Sequence, residues 1–556
     1  MDQVLLVLAE KLEKFLPLIG GPEFSHLLIP LFEALCNIEE VAVRNLAAQS
    51  CCKILKQLTP NYKHQVTAYF ELFKRLSNEE SGELFYARVS CCYFVVDLYP
   101  LLPDGDKVIL REIYGRLCKD EMPNVRNAAA NFFVALSQIV NDSEIIYNEF
   151  LTLLKTLIGD ESQIIQVVGI EAIAPYGLLL KKFNHITIIS NDFLNYIKTY
   201  CDDSSWRIRQ ALCRKFSLFA QSFTISEINT DIFPALLHMV LDPEPEVRVV
   251  AVDEIFPFLD VMGAQQFMNE FAPIAHQLVD DPMNTVRKLL AELCVKVITK
   301  IPPESVSQHI SELILKLIND EDSLVKLRIV KQLPVIAQES PSLCTRLTDV
   351  LKSLFSHSNW RLRKGLMEAM PSIVKHMGQE YFNEHFLNLC ISLIKDGTEE
   401  VRQAVAVSIS QIAMNISDIN WVYDKLYSNY KNVINEEYLV RVNMVTALHG
   451  FLLLENISYH PKFQSEVISL FIGLTNDKVP NVRLRAAQII YSILLSLSNG
   501  SNQAYLSLNS TLKDQMETAL KELQNDKDKD VRHFASHVTN ITALPLLLGS
   551  THSKQG

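Results

Sequence analysis

The chain has 556 residues, which is too long for one compact hydrophobic core and requires several domains or an extended repeat array. Apolar residues make up 48% of it, charged residues 21%, and it has 17 glycines, a composition that is typical of packed helices and excludes disordered or fibrous proteins. The net charge of -12 excludes a broad nucleic-acid-binding surface, because phosphate binding needs clustered Lys and Arg.

The N-terminal segment places Asp2, Glu10 and Glu13 inside an apolar pattern, which argues against a signal peptide. No uninterrupted apolar run approaches the roughly 18 residues that span a bilayer. The cysteines have no C-x-x-C spacing and are typical of a reduced intracellular protein. We therefore predict a cytoplasmic and nuclear protein without membrane insertion. Residues 4–16 look like the second helix of a pair, so the first repeat is predicted to be incomplete.

A polar turn followed by Val or Ile and Arg recurs along the whole chain. Six of the thirteen steps between these marks are 39 residues long. The marks fall at Leu5, Arg44, Arg88, Arg126, Gln166, Arg209, Arg248, Arg287, Lys326, Arg363, Arg402, Arg441, Arg483 and Arg532. A fixed period of this length indicates a repeat protein.

Each repeat is predicted to be helix A, a turn and helix B. Residues 231–241 are periodic in apolar residues, 242–246 form a Pro-containing turn, and 247–259 are periodic again. No segment alternates with period two, so the fold is predicted to be all-α, a right-handed α-α superhelix of about 14 two-helix repeats. These features resemble the HEAT repeat, a two-helix solenoid unit.

An aspartate stands six residues before the mark in nine repeats, at Asp120, Asp160, Asp203, Asp242, Asp281, Asp320, Asp396, Asp477 and Asp526. At this place its carboxylate is expected to accept backbone N–H groups at the start of helix B. Stacking of repeats is expected to bring it near the Arg of a neighbouring repeat. The result would be a ladder of charge-assisted bonds along the turns.

The sequence contains no phosphate-binding loop, dinucleotide fingerprint or hydrolase motif. His533 and His537 stand four residues apart on a predicted helix, but neither a third ligand nor a catalytic Glu accompanies them. We predict no catalytic residue, no metal site and no cofactor. Enzymatic chemistry is expected to come from a partner protein.

Trp206 and Trp360 occupy equivalent places at the start of helix B, in Ser-Trp-Arg-Ile-Arg and Asn-Trp-Arg-Leu-Arg. Two interpretations stay open at this stage: packing against the neighbouring turn, or anchoring a partner, since Trp and Arg dominate interface hot spots. Acidic turns such as Glu39-Glu40 likewise are either helix caps or a docking stripe for basic residues.

Several turns resemble a particular HEAT-repeat family, the scaffolding A subunit of protein phosphatase 2A. The similarity is carried by residues 2–24, by Glu-Glu-Val-Ala-Val-Arg at 39–44, by Pro-Asn-Val-Arg at 123–126, and by the two Trp-Arg turns. The chain departs from the family pattern at Asn127, where the family has Arg, and at Leu84-Phe85, where the family has Trp.

The resemblance implies a non-catalytic scaffold whose turns bind two partners, a phosphatase catalytic subunit plus an exchangeable regulatory B-type subunit. It implies a single solenoid over residues 1–545, with regulatory-subunit binding in 1–220 and catalytic-subunit binding in 340–545. Residues 546–556 are predicted to be a disordered tail. The implied regulatory-subunit contacts are Glu39, Glu40, Asp120, Pro123, Arg126 and Trp206. The implied catalytic-subunit contacts are Trp360, Arg361, Tyr438 and Arg441.

Two alternatives remain from the sequence. An importin-β-like nuclear transport receptor is also acidic and built from helical repeats, although such arrays have less regular repeat lengths. An enzyme with a helical-repeat fold is the other, and it would show activity in the isolated chain.

Overall fold

The structure of the protein is a computed structural model that describes residues 2–78, 85–454, 456–498 and 510–537. These residues form helices and turns, and no strand occurs among them, so the predicted all-α HEAT-repeat class is confirmed. The chain divides into two compact units, Met1–Leu278 and Val279–Gly556. The predicted tail at 546–556 lies outside the described residues.

The described part of unit 1 contains twenty α-helices. They are α1 Asp2–Lys11, α2 Ile29–Cys36, α3 Val41–Leu55, α4 Lys63–Leu76, α5 Tyr86–Cys92, α6 Val95–Leu98, α7 Asp104–Leu117, α8 Pro123–Ile139, α9 Ser143–Ile145, α10 Leu151–Ile158, α11 Gln163–Lys182, α12 Ile186–Ile188, α13 Leu194–Cys201, α14 Trp206–Cys213, α15 Phe216–Ser222, α16 Ile225–Glu227, α17 Phe233–Val240, α18 Pro245–Asp253, α19 Pro257–Met262 and α20 Ala264–Leu278.

Unit 2 contributes sixteen more within the described ranges. They are α21 Asn284–Ile298, α22 Pro303–Ser305, α23 Ser311–Ile318, α24 Ser323–Glu339, α25 Pro341–Leu354, α26 Trp360–Met377, α27 Gln379–His385, α28 Leu387–Ser392, α29 Glu399–Met414, α30 Ile419–Trp421, α31 Ser428–Lys431, α32 Tyr438–Leu452, α33 Pro461–Gly473, α34 Pro480–Ser498, α35 Ser510–Leu523 and α36 Lys529–His537.

Within each unit the helices form two layers. In unit 1 the B helices α1, α3, α5, α8 and α11 pack side by side in chain order, and in unit 2 the same holds for α21, α24, α26, α29, α32 and α34. The A helices pack on the other side, as α2 does against α4 and α13 against α17. Each repeat therefore buries its apolar faces against its neighbours in sequence, which is how a solenoid is stabilised.

Helix A is not a regular α-helix in five repeats. A π-helical stretch joins a short first turn to the main helix at Ile146–Phe150, Ile189–Phe193, Ile228–Ile232, Val306–Ile310 and Val422–Tyr427. Carbonyls in these stretches accept the backbone N–H of the residue five positions on, and side-chain hydroxyls donate to some of the same carbonyls. Tyr176 donates to the Ile146 carbonyl at 2.5 Å, and Ser311 donates to that of Val306 at 3.1 Å. Short 3-10 turns occur at Leu12–Phe15, Pro17–Ile19, Pro22–Leu28, Tyr99–Leu101, Leu393–Lys395, Asn432–Asn435, Ile457–Tyr459 and Leu474–Asn476.

Helix B is continuous in some repeats and divided in others. The predicted helix over 247–259 is two helices, α18 and α19, because Pro257 begins the second and cannot donate a backbone hydrogen bond to the first. Pro175 lies inside the unbroken helix α11. The division between α14 and α15 has no proline, and there the backbone N–H of Ser217 donates to the Glu254 carboxylate at 2.7 Å.

Among the described residues, α11 is the one helix that is long and apolar enough to cross a membrane by length and composition. More than half of its most apolar window, 56%, is buried inside the protein. It packs against α8, α10, α14 and α15. Core helices pass the same test of length and hydropathy, so this burial explains its composition.

Candidate protein-binding surface

The A-to-B turns of each unit are joined by buried ion pairs. In at least seven places within the described ranges, the Arg mark of one repeat donates through Nε and Nη2 to both carboxylate oxygens of the Asp in the next turn. The donor–acceptor distances are 2.6–3.1 Å, and we call these pairs the clamps. They are Arg88–Asp120, Arg126–Asp160 and Arg209–Asp242 in unit 1, and Arg287–Asp320, Arg363–Asp396, Arg441–Asp477 and Arg483–Asp526 in unit 2.

Each clamp also fixes the conformation of its own turn. All nine turn aspartates accept the backbone N–H two residues further on, at 2.7–2.9 Å. The third nitrogen of the Arg, Nη1, donates back to turn carbonyls, as Arg126 does to the carbonyl of Asp120 at 2.8 Å. The predicted ladder of charge-assisted bonds is therefore confirmed. One guanidinium donates hydrogen bonds to groups in two successive turns.

Two pKa shifts show how the clamps stabilise the charged forms of their members. The hydrogen bond from Arg483 lowers the pKa of Asp526, and burial works against this effect. The hydrogen bond that Arg126 donates to Asp160 raises the pKa of the guanidinium, against the effect of burial. Both shifts favour the charged forms, as expected for a bidentate pair.

Some steps have no clamp because the sequence lacks one partner. Gln166 replaces the Arg before Asp203, and there the Gln163 side chain donates to the Ser205 hydroxyl at 2.6 Å instead. Arg402 is followed by Asn435 where the Asp would stand, and its buried Nε has no hydrogen-bond partner. Arg44 also has an unpartnered Nε, and its guanidinium lies over the Tyr86 ring at 4.5 Å.

Three of the predicted contact residues belong to clamps. Asp120, Arg126 and Arg441 direct their charged groups to Arg88, Asp160 and Asp477 within the chain. Asp120 and Arg126 are buried, with 6% and 7% exposure. Their structural role is clear from these contacts, and their contact with a partner protein stays a prediction.

The other predicted residues of unit 1 lie on its surface at or beside the turns. Glu39 and Glu40 are exposed, and Glu40 caps α3 by accepting the Ala42 N–H at 3.4 Å. Pro123 is exposed at the first position of α8. Of the two roles considered for the acidic turns, Glu40 therefore has that of a helix cap. The Glu39 carboxylate lies on the surface.

Trp206 and Trp360 have the same local geometry. Each is the first residue of its helix, each is half-buried, and in each the guanidinium of the next residue lies 4.6 Å from the indole centroid. Arg207 and Arg361, which supply these cations, are exposed. A cation over an indole at an exposed site contributes about 0.5–1 kcal/mol. Each Trp-Arg pair therefore places an apolar ring and a cation together at the surface.

Tyr438 is the remaining predicted contact of unit 2. It begins α32 and is 39% exposed. Its position at the start of helix B matches that of Trp360 in α26. In unit 2, Trp360, Arg361 and Tyr438 are thus surface side chains beside clamped turns.

Sequence reasoning missed Arg207, which forms the same cation–indole pair as Arg361. The signal was present, because Trp-Arg occurs in both turns. Within the described ranges no group of three or more His, Cys, Asp or Glu side chains is arranged to bind a metal ion.

Comparison with known proteins finds relatives that are regulatory A subunits of protein phosphatase 2A. The 65 kDa regulatory A subunit (alpha isoform) of serine/threonine-protein phosphatase 2A from Arabidopsis thaliana is 46% identical over 130 residues, 23% of this chain and 21% of that protein. The beta isoform from Homo sapiens is 26% identical over 340 residues, 60% of this chain and 55% of that protein. The predicted resemblance to the A subunit is confirmed. The matched regions cover about half or less of these relatives' own lengths.

Other comparisons agree on the fold. Residues 196–416 match the family described as PIK3R4-like, middle domain. The solved karyopherin Kap121p, bound to the extreme C-terminus of the protein phosphatase Cdc14p, has a TM-score of 0.58 and 12% identity, covering 92% of this chain and 53% of Kap121p. Yeast importin-beta, Kap95p, has a TM-score of 0.55 and 12% identity over 93% of this chain and 72% of Kap95p. At such low identity these likenesses show the helical-repeat fold alone.

Proposed function

We propose that this chain is a non-catalytic scaffold that assembles a serine/threonine phosphatase holoenzyme. Its turns in unit 2 bind a catalytic subunit, while its turns in unit 1 bind an exchangeable regulatory B-type subunit. The observation that carries this proposal is the sequence similarity to A subunits of protein phosphatase 2A, together with rigid turns that expose Trp206, Trp360 and Arg361.

The clamps give the scaffold a physical basis. They hold successive turns of a unit at fixed spacing, so exposed side chains at those turns are ordered before a partner arrives. Binding then costs less conformational entropy. Holding two partners on one chain raises their effective concentration for one another without any chemistry by the scaffold.

An importin-β-like role is the alternative that the fold allows. The karyopherin structures are similar in fold, but the A subunits show higher identity to parts of this chain, 26–46% against 12%. We therefore favour the phosphatase scaffold, acting in the cytoplasm and nucleus without membrane insertion. Cargo release that depends on GTP-bound Ran would support the alternative instead.

The test is whether the purified chain captures the catalytic subunit of a phosphatase of the 2A type. Because Trp and Arg at an interface centre contribute roughly 2–4 kcal/mol each, W360A/R361A should weaken binding at least about 30-fold. Binding is measured by biolayer interferometry, and the isolated chain should show no phosphatase activity.

The matched control is Y459A, because Tyr459 is an aromatic residue that is 83% exposed in unit 2 and lies on the B-to-A side of its repeat. Y459A should bind like the wild type. Full binding by a folded W360A/R361A variant would refute the assignment of the catalytic-subunit site.

A further inference from the structure

A groove lies on the A-helix side of unit 1. It lies between the C-terminal halves of α4 and α7 and has a volume of about 850 Å³. We call it the α4–α7 groove. It is lined by Lys74, Ser77, Asn78, Ile109, Glu112, Ile113, Gly115, Arg116 and Lys119.

The side chains that line this groove give it a positive charge, although the whole chain has a net charge of -12. The lining contains three cationic side chains, those of Lys74, Arg116 and Lys119, and one carboxylate, that of Glu112. Lys74 is already paired with Glu71. Arg116 and Lys119 are exposed, and neither makes an ion pair within the described part of the chain. Two cations are therefore available to a ligand.

The same groove has an apolar floor. Ile113 is buried, while Ile109 on the preceding turn of α7 is 40% exposed and its neighbour Val108 is 44% exposed. A ligand that fits must therefore combine negative charge at the rim with an apolar side chain at the centre. A helix C-terminus alone explains Arg116 and Lys119 as favourable charges, but it does not explain exposed Ile109 beside them.

The groove is also continuous with a turn that sequence reasoning assigned to partner binding. Lys119 directly precedes Asp120, and Pro123 begins α8 three residues later. A protein segment that crosses this turn has a short path into the groove.

We propose that the α4–α7 groove binds an acidic peptide segment of a partner protein that carries an apolar side chain among its Asp or Glu residues. The carboxylates pair with Arg116 and Lys119, and the apolar side chain packs on Ile109. This proposal stands apart from the phosphatase proposal, because it depends on the charge and shape of the groove alone.

The test uses the full chain and a fluorescein-labelled twelve-residue peptide of glutamates with two leucines, measured by fluorescence polarisation. Binding should saturate and weaken as salt rises from about 50 to 300 mM, because the contacts are solvent-exposed charges. R116E/K119E should weaken binding by about tenfold or more. The neutral variant R116Q/K119Q should weaken it less, and I109S should weaken it without changing the salt dependence.

The control is K14E/K63E, which changes the charge of unit 1 by the same amount at exposed positions outside the groove. Equal loss of binding in this control and in R116E/K119E would overturn the proposal, as would the lack of saturable binding.

Glu79, Glu80 and Glu83 follow Asn78 along the chain and lie outside the described residues. A peptide that binds the variant E79Q/E80Q/E83Q but not the wild type would show that these three glutamates, rather than a partner, are the ligand of Arg116 and Lys119. That result would overturn the proposal. Because no phosphatase component is present in the assay, its outcome is independent of the phosphatase proposal.

Discussion

In most clamps one arginine joins its own turn to the next turn along the chain. Arg363, for example, donates to both oxygens of Asp396 at 2.7 and 2.8 Å and to its own turn at the His357 carbonyl at 2.6 Å. Both side chains are largely buried, with 14% and 7% exposure. Removal of one partner leaves a buried charge without compensation, which is the costly situation for an ion pair.

The substitution D396A should therefore lower the free energy of unfolding by about 3–5 kcal/mol. Urea unfolding followed by circular dichroism measures this change. The matched control is D104A, which removes the ion pair between Asp104 and Lys107. The Asp104 side chain is 99% exposed. D104A should change stability by less than about 1 kcal/mol. Equal effects of the two substitutions would contradict the structural role of the clamps.

His449 provides a pH-dependent test at the same scale. Burial, aided by the nearby charge of Arg485, lowers the pKa of His449 from 6.5 to about 4. The unfolded chain thus binds a proton at higher pH than the folded chain, so stability is fully present above pH 6.5 and is lost as the pH falls toward 4.

The expected loss in stability between pH 7 and pH 4 is on the order of 2 kcal/mol from this residue. Urea midpoints of the wild type and of H449Q, measured at both pH values, isolate it. H449Q should lack this part of the pH dependence. An identical pH dependence in the two proteins would show that the His449 pKa is unshifted.

Residue-scale prediction from the sequence succeeded for the clamps. The Asp six residues before each mark, and the Arg at the mark, predicted a ladder. The family resemblance also predicts partner contacts for Asp120, Arg126 and Arg441, and it could not show that their charged groups pair within the chain. Only the stacking of repeats places Asp160 beside Arg126, 34 residues away.

At the scale of elements, close approach between helices depends on particular glycines. A Cβ added at Gly450 in α32 would lie 2.2 Å from the Ser410 Cβ in α29. A Cβ added at Gly169 in α11 would lie 2.8 Å from the backbone carbon of Leu157 in α10. Glycine allows these helices to pack at their observed separation.

Gly450→Ala should lower the free energy of unfolding by roughly 1–3 kcal/mol, because the methyl group overpacks the contact with Ser410. Gly105→Ala in α7 is the control, since nothing lies within 4 Å of its added Cβ. There the higher helix propensity of Ala should stabilise the protein by up to about 1 kcal/mol. Thermal unfolding of both variants measures the contrast, and destabilisation of equal size would contradict it.

The order of helices A and B was predictable from apolar periodicity, since the marks fall at the start of helix B from α3 to α36. The π-helical stretches were not predictable, because their sequences keep the same apolar spacing as ordinary helices. Prolines did not predict where helix B is divided. Pro257 begins a new helix, whereas Pro175, Pro334 and Pro371 lie inside continuous ones.

At the scale of the whole molecule, each of the two units is a stack of helix pairs with clamped turns. A solenoid of this kind grows by nearest-neighbour contacts and presents equivalent positions again and again. The predicted contact residues that reach the surface of these stacks are Glu39, Glu40, Pro123 and Trp206 in unit 1 and Trp360, Arg361 and Tyr438 in unit 2, and we call them the anchors. Their binding of partner proteins is a prediction.

If the chain is a phosphatase scaffold, its catalytic partner binds along the turns of unit 2 that carry these anchors. Hydrogen–deuterium exchange of the full chain, with and without the purified catalytic subunit of a 2A-type phosphatase, measures this binding turn by turn. We predict slower exchange in peptides covering residues 355–364 and 435–442, and unchanged exchange along the outward face of helix A in the same repeats. Protection confined to the A helices, or a stable complex without protection at either turn, would contradict the proposed scaffold role.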